Sequence, residues 1–388
     1  MSHFPIWRAA ILLLALLPLA YYFVAILAAF RFFRRERTKT LPDFHPPVSV
    51  LKPVRGLDFA TYENFASFCR QDYPEYEILF CVNDLNDPAV PVIQKVISDF
   101  PECRIRILSG AACYGTNQKV NNLALLAKEA RHEILAQSDG DVRVSANYLR
   151  ELAAPFRDAN MGVLSCFYRA IVQPNLGAEL EAVGAASDFF AGALVADWKE
   201  GVTFALGASV ATTKTWLSKI GGYESFADLL ADDYEIGNRV HKAGGKVLLS
   251  REIVWTMYPA QTFQGFWEHQ VRWARTVRAV RPFSFFGLLV TQGLPWTLLA
   301  ALIAPKAWTS LFYLSGYLIL RTCVAWVVGV WGIQDEVLRR KLWLVPFRDA
   351  IHFLVWLAGF TSNRVTWGGI EYEIRNGKML PLTSRTSA

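Results

Sequence analysis

The sequence predicts an α/β domain, built on a mostly parallel sheet with helices on both faces, set between membrane-spanning segments. Three observations predict it. Of the 388 residues, 53% are hydrophobic and only 19% charged, against about 25% charged in an ordinary soluble domain. The apolar excess is concentrated at the two ends of the chain. The middle alternates short β-branched and aromatic runs with helix-length stretches, the signature of βαβ units.

The first element is an anchor. Trp7 to Phe30 carries no charge after Arg8 and is long enough to cross a hydrocarbon core of about 30 Å as a helix. A signal peptide would have a shorter apolar core and a small-residue cleavage site, whereas this run ends directly in Arg31, Arg34, Arg35, Arg37 and Lys39. Basic residues stay on the cytosolic side, so the N-terminus is expected outside and residues from about 40 to 280 in the cytosol.

The middle block contributes strands at Val48 to Val54, Tyr76 to Asn83, Ile105 to Leu108, Glu133 to Gln137, Val163 to Tyr168 and Lys246 to Leu249. Helix-like stretches lie at Ala60 to Arg70, Ala89 to Phe100, Gln118 to Ala130 and Ala146 to Arg157. In such sheets ligands sit beyond the carboxyl ends of the strands. The acidic residues gather there.

The tail returns to membrane character. Phe283 to Ala304 and Trp308 to Trp331 are each long enough to span, and only Pro305, Lys306 and Ala307 separate them, which predicts a tight helical hairpin. Leu342 to Phe360 is interrupted by Pro346, Arg348, Asp349 and His352, so it reads equally as a re-entrant helix or a further crossing. Arg339, Arg340, Lys341, Arg364, Arg375, Lys378 and Arg385 favour a cytosolic C-terminus and three crossings in all. Arg321, isolated among apolar residues, needs a partner or a route to the head groups. The expected divisions are an anchor with its basic flank (1–40), a catalytic domain (41–260), an interfacial helix (261–282), a C-terminal membrane region (283–361) and a basic tail (362–388).

Asp84 and Asp87 follow the second strand, Asp139 and Asp141 follow the fourth in QSDGDVRV, and Asp232 and Asp233 precede the helix-like Tyr234 to Ala243. Two carboxylates around one Gly at a strand end suit an oxygen-loving Mg²⁺ or Mn²⁺ that also ligates phosphate oxygens. A solvated turn is the rival reading of an Asp-Gly-Asp taken alone. The phosphate-binding fingerprints GxxxxGK[ST] and GxGxxG are absent, and Ser209 in GASVA lacks the second Gly of a nucleophile elbow. The six cysteines form no CxxC pair and no histidine stands at zinc-ligand spacing, so a zinc site and a disulfide framework are both disfavoured.

The order Asp84, Asp139-Gly140-Asp141, Asp232-Asp233 and then HQVRW at His269 to Trp273 resembles the GT-A nucleotide-sugar transferases. More narrowly, VSVLKPVRG, QDYPEYEILFCVNDLNDPA, TNQKVNNL and DGDVRV resemble the ceramide glucosyltransferases and the related bacterial enzymes that glycosylate hopanoid lipids. The likeness covers residues from about 47 to 280 and extends to WGGIEYEIRNG in the tail. His269 departs from it, standing where the family more usually has Gln or Arg.

The resemblance implies a GT-A fold and an inverting UDP-sugar hexosyltransferase acting on a membrane lipid. Asp84 would read the uracil or ribose, and Asp139 and Asp141 would hold the metal that clamps the diphosphate. Lys119 would add a cation near phosphate or sugar; an exposed helix lysine is the alternative. Asp233 would be the general base that takes the acceptor hydroxyl's proton, with Asp232 as a helix cap or supporting group. Arg272 would give a bidentate cation to the diphosphate and Trp273 a flat wall beside it.

Gln261 to Arg281 mixes aromatics with Arg272, Arg275, Arg278 and Arg281 and reads as a helix lying at the membrane surface. A ceramide, hopanoid or glycerolipid hydroxyl would meet a domain held there, and the apolar stretch Phe189 to Val195 is a candidate acceptor groove or a buried helix. UDP-glucose to ceramide is the leading expectation, with UDP-N-acetylglucosamine to a hopanoid as the alternative. The hopanoid resemblance points to a bacterial inner membrane. A processive polysaccharide synthase would share these motifs but needs a channel, for which three or four spans are few. A non-enzymatic scaffold would not need three acidic sites and an Arg-Trp motif. The net charge of +6 sits beside apolar spans, which fits anionic head groups and argues against nucleic acid.

Overall fold

The computed structural model describes residues 5–34 and 44–382. Expectations resting on Arg35, Arg37, Lys39 and Arg385 fall outside the described residues. The chain divides into two compact units: Met1–Arg35, Val172–Lys199 and Ala260–Gly369 make the first, and Glu36–Ile171, Glu200–Pro259 and Ile370–Ala388 the second.

The second unit is built on an eight-stranded sheet. Its strands are β1 (Val48–Pro53), β2 (Tyr76–Val82), β3 (Arg104–Ser109), β4 (Ile134–Ser138), β5 (Val142–Arg143), β6 (Met161–Val172), β7 (Ser209–Thr213) and β8 (Lys246–Tyr258), in the order β3-β2-β1-β4-β7-β6-β8-β5. β3, β2, β1 and β4 run parallel, whereas β7 is antiparallel to both β4 and β6. Every residue of β1 and β4 is buried, as strands covered on both faces require. The helices Thr61–Cys69, Ala89–Asp99 and Gln118–Glu129 make the crossovers between the parallel strands. From β1 the chain passes outward to β2 and β3, then returns to place β4 on the other side of β1. The carboxyl ends of β1 and β4 therefore flank the point where strand order reverses, the place where open α/β sheets bind ligands.

All six expected strands form. Sequence reading passed over β7 and the two-residue β5, and β8 runs on to Tyr258. Ser209 opens β7 and hydrogen-bonds the buried Tyr148 hydroxyl at 2.9 Å, a packing role. The segments Ile370–Arg375 and Lys378–Pro381 form an antiparallel hairpin, pinned to the sheet unit by Met379 N–H donating to Asp228 O at 2.8 Å.

The first unit is helical. Ile6–Arg34, Ala307–Gly332 and Leu342–Gly359 are each long and apolar enough to cross a membrane. Phe283 to Ala304 is not the straight span expected: Pro282–Thr291 and Gly293–Ile303 meet at a 48° bend. Pro295 lies in the first turn of the second piece, where its missing N–H costs nothing but where the preceding helix cannot continue through it. Gly293 lies against Tyr22, whose ring a Cβ there would overlap, and donates its N–H to the Tyr22 hydroxyl at 3.1 Å. Leu342 to Phe360, by contrast, forms the continuous helix Val345–Gly359 after one short turn. Its apolar face joins Leu180, Val183, Phe266 and Val271 in the core of this unit.

Candidate functional site

Three of the carboxylates singled out from sequence come together around one lysine. Asn117 caps the helix Gln118–Glu129 by accepting from Val120 N–H at 3.2 Å, and its amide donates to Leu229 O at 2.8 Å. This fixes Lys119 in the first turn. Its Nζ lies 2.7 Å from Asp139 Oδ1 and 3.3 Å from Asp232 Oδ2. The exposed-lysine alternative is thereby set aside, since only 22% of the side chain is exposed. Burial works against the charge of Lys119, but Asp139, Asp232 and Asp233 outweigh it and hold the ammonium protonated well above the ordinary lysine range.

Asp233 stands at the N-terminus of the helix Asp232–Lys242, accepting from Tyr234 N–H at 2.8 Å. Burial, then the neighbouring Asp232 charge, push its carboxyl up to about 6, with Lys119 pulling the other way. That is the range a general base working near neutral pH requires. Gly207 lies against this carboxylate: a Cβ there would sit 2.9 Å from Asp233 Oδ2. Asp232 makes no capping hydrogen bond and acts instead through Lys119.

Asp139 and Asp141 flank Gly140 just past β4. Burial, Asp139 and Asp58 push Asp141 up to about 7. Beneath this turn lies Lys52, fully buried in β1, with its Nζ donating to Asp139 O and lying 4.2 Å from the Phe68 ring centre. Burial pulls Lys52 down to about 7 against the attraction of Asp141 and Asp139. The donors are hard carboxylate oxygens crowded at one strand end, and at Asp141 burial and the charges of Asp139 and Asp58 outweigh Lys52, so the pair fits a hard divalent cation. Among the described residues no group of three or more candidate ligands assembles, so further ligands would have to come from substrate or water.

Asp84 is not drawn into this cluster. It is exposed beyond β2, and Oδ1 accepts from Asn86 N–H at 2.9 Å and from the Asn86 amide at 3.0 Å. Asp84 thus closes its own turn through Oδ1; Oδ2 has no hydrogen-bond partner among the described residues. The neighbouring Asp87 braces the VRG loop by accepting from Gly56 N–H with both oxygens, at 3.1 and 3.0 Å. In TNQKVNNL, Asn121 Oδ1 accepts from Tyr114 and Gly115 N–H at 3.1 and 3.2 Å, and Asn122 donates to Asn83 Oδ1 at 2.9 Å. These asparagines hold the loops at the strand ends.

Arg272 and Trp273 belong to the helical unit, on the helix Phe263–Val280 capped by Thr262. The Arg272 guanidinium, half-buried, makes no side-chain hydrogen bond or close ion pair among the described residues, and the Glu181 carboxylate attracts its charge. Trp273 is 37% exposed and packs on His269 at 5.2 Å between ring centres. His269, the departure from the family motif, has its Nδ1 2.5 Å from Glu181 Oε1, and Gln261 donates to the other oxygen of the same carboxylate.

Lys52, Asp58 and Gly207 were missed from sequence. Lys52 carried a usable signal, a lone lysine in the otherwise apolar VSVLKP; the other two carried none, because their contacts lie 83 and 26 positions away along the chain, at Asp141 and Asp233.

Comparison with known proteins shows the family. The family model described as Glycosyl transferase family 21 matches residues 10–380. Ceramide glucosyltransferase 1 of Caenorhabditis elegans is 26% identical over 386 residues, covering 93% of this chain and 80% of that protein. A ceramide glucosyltransferase of Candida albicans is 36% identical over 121 residues, 28% of this chain and 22% of that one. Among solved structures, a mannosyltransferase of Pyrobaculum calidifontis in complex with GDP-Man and Mn²⁺ aligns over 89% of this chain and 99% of its own, with 15% identity and a TM-score of 0.49. With a family model matching nearly its whole length, the chain belongs to glycosyl transferase family 21 and is a glycosyltransferase.

Proposed function

We propose that the chain transfers a single glucose from UDP-glucose to a hydroxyl of a ceramide-type membrane lipid, inverting the anomeric centre, with the sheet unit in the cytosol. The observation that carries the chemistry is the grouping of Asp139, Lys119, Asp232 and Asp233 at the strand ends. The choice of donor and acceptor rests on the ceramide glucosyltransferases among the relatives.

In this reading Asp233 accepts the proton of the attacking hydroxyl, for which its carboxyl near 6 is suited. One base opposite one leaving group gives a single in-line displacement, hence inversion. Lys119 neutralises the carboxylates that would otherwise repel a diphosphate, and Asp84 offers its free oxygen to uracil or ribose. As the family resemblance implies, Arg272 would bind diphosphate oxygens as a bidentate donor, with Trp273 beside it. Asp139 and Asp141 would hold Mg²⁺ or Mn²⁺, which when bound stabilises the charge developing on departing UDP.

UDP binding in the presence and absence of Mn²⁺ tests this assignment without turnover. Titration calorimetry in detergent should show that chelation with EDTA, or Asp139→Ala, weakens UDP affinity by about tenfold or more. Equal affinity in all three conditions would remove Asp139 from the metal site. Incubation with several labelled UDP-sugars and several lipids then identifies the substrate pair, the hopanoid and UDP-N-acetylglucosamine combination among them.

A further inference from the structure

The helical unit contains a second polar centre that the chemistry above does not use. The segment Leu176–Glu200 is helical throughout but opens into a π-helical turn over Ala185–Phe189, a distortion often found at functional sites. Asp188 lies in that turn. His352, on the helix Val345–Gly359, has its Nδ1 2.9 Å from Asp188 Oδ2. Burial alone would raise the Asp188 pKa, but His352, Arg321 and Arg348 outweigh it and hold the carboxyl well below the usual range. Asp188 is therefore a fixed carboxylate that orients the imidazole through Nδ1, leaving His352 Nε2 with no hydrogen-bond partner among the described residues.

Four further features point to a ligand. His352 belongs to a helix apolar enough to cross a membrane, where an ionisable residue is costly and marks a functional site by default. The dyad is open, with 27% of the His352 side chain and 35% of Asp188 exposed. Arg348, one turn before His352 on the same helix and 5% exposed, donates to Leu180 O and Gln270 Oε1 but leaves Nη1 buried without a partner. Beside the dyad, Phe189 is 40% exposed and lies 6.2 Å from the Trp273 ring, an apolar wall next to the polar pair.

We infer that His352, oriented by Asp188, binds the polar head of a neutral lipid by accepting a hydrogen bond from its hydroxyl at Nε2, with Phe189 and Trp273 against the start of the lipid chain. A neutral head fits because Arg321 and Arg348 already offset the Asp188 charge, and a neutral imidazole donating at Nδ1 leaves Nε2 free to accept from a hydroxyl. The inference rests on the lipid-acceptor reading and names the residues that would recognise that acceptor.

The test uses the full-length protein in detergent and a short-chain ceramide with a diazirine in its acyl chain. Photolabelling of the wild type should fall on peptides containing 185–190 or 345–356, and unlabelled short-chain ceramide should compete while its hydroxyl-methylated ether does not. His352→Ala and Asp188→Asn should lower labelling and raise the KM for lipid by about tenfold, with the KM for UDP-glucose changed less than about twofold. His352→Gln, checked for a wild-type melting temperature, guards against simple misfolding. Labelling elsewhere in the wild type, or unchanged labelling and lipid KM in folded variants, overturns the inference. If labelling behaves as expected but no lipid-linked sugar forms from any donor, the transfer reading fails while the lipid site stands.

Discussion

At pH 7 a carboxyl with a pKa near 6 is mostly ionised yet still a serviceable proton acceptor, and Asp233 owes that value to burial and to Asp232. Asp233→Asn keeps the size and removes the basicity. It should lower the turnover rate by roughly 10²–10⁴-fold while UDP-sugar affinity changes by less than about tenfold. Near-normal turnover in this variant together with its loss in Asp232→Asn would hand the role to the neighbour. The pH profile follows from the same environment. Below pH 6 Asp233 is protonated and cannot accept a proton, so kcat/KM should fall on the acid side with an apparent pKa near 6. Lys119 pulls that pKa down, so Lys119→Met should move the acid limb to higher pH. An acid limb that stays in place would separate Lys119 from the base.

Among the elements, the buried ion pair of the helical unit shows what a window of sequence can and cannot reveal. Arg321 and Asp349 each looked like a violation within an apolar run. They form one bidentate pair, with Nε to Oδ2 and Nη2 to Oδ1 both at 2.8 Å, and Ser187 O and the Tyr317 hydroxyl complete the shell. The residue that argued against a continuous helix over 342–360 is thus the partner the isolated arginine needed, and it lies 28 positions away. Removing one member leaves an uncompensated buried charge. Arg321→Met or Asp349→Leu alone should each destabilise the protein by about 3–5 kcal/mol, and the double variant should recover much of the loss. Chemical denaturation in micelles measures this; single variants as stable as wild type would mean the pair carries no structural load. The strands were legible because apolar runs of four to eight residues punctuated by turn residues are a local signal. The break at Gln292-Gly293 was legible only in part, since Pro295 and Gly293 announce it but the Tyr22 contact that requires Gly293 is 271 positions distant.

For the whole molecule, the sheet order explains why so much of the candidate site could be read from the chain. Parallel strands deliver their loops to one edge, so acidic residues just after β2 and β4 were bound to lie near the carboxyl ends of the sheet. Asp139 was found that way, whereas the roles expected of Lys119 and Asp233 came from the family resemblance. Sequence could not place Lys52 beneath the Asp139 turn or bring Asp188 to His352, because each depends on a tertiary neighbour, whereas the Asp84 turn is local, closed by Asn86 two residues on. The account as a whole stands on one reaction: one hexose moved from UDP to a lipid hydroxyl with inversion. The most direct measurement is to supply purified protein in ceramide-containing nanodiscs with Mn²⁺ and ¹³C-labelled UDP-glucose, then examine the lipid extract by mass spectrometry and proton NMR. The account predicts a lipid carrying a single hexose whose anomeric proton shows the large coupling of a β-linkage, opposite to the α-configured donor. An α-linked product, a polymer, or UDP release without any lipid-linked sugar would contradict it.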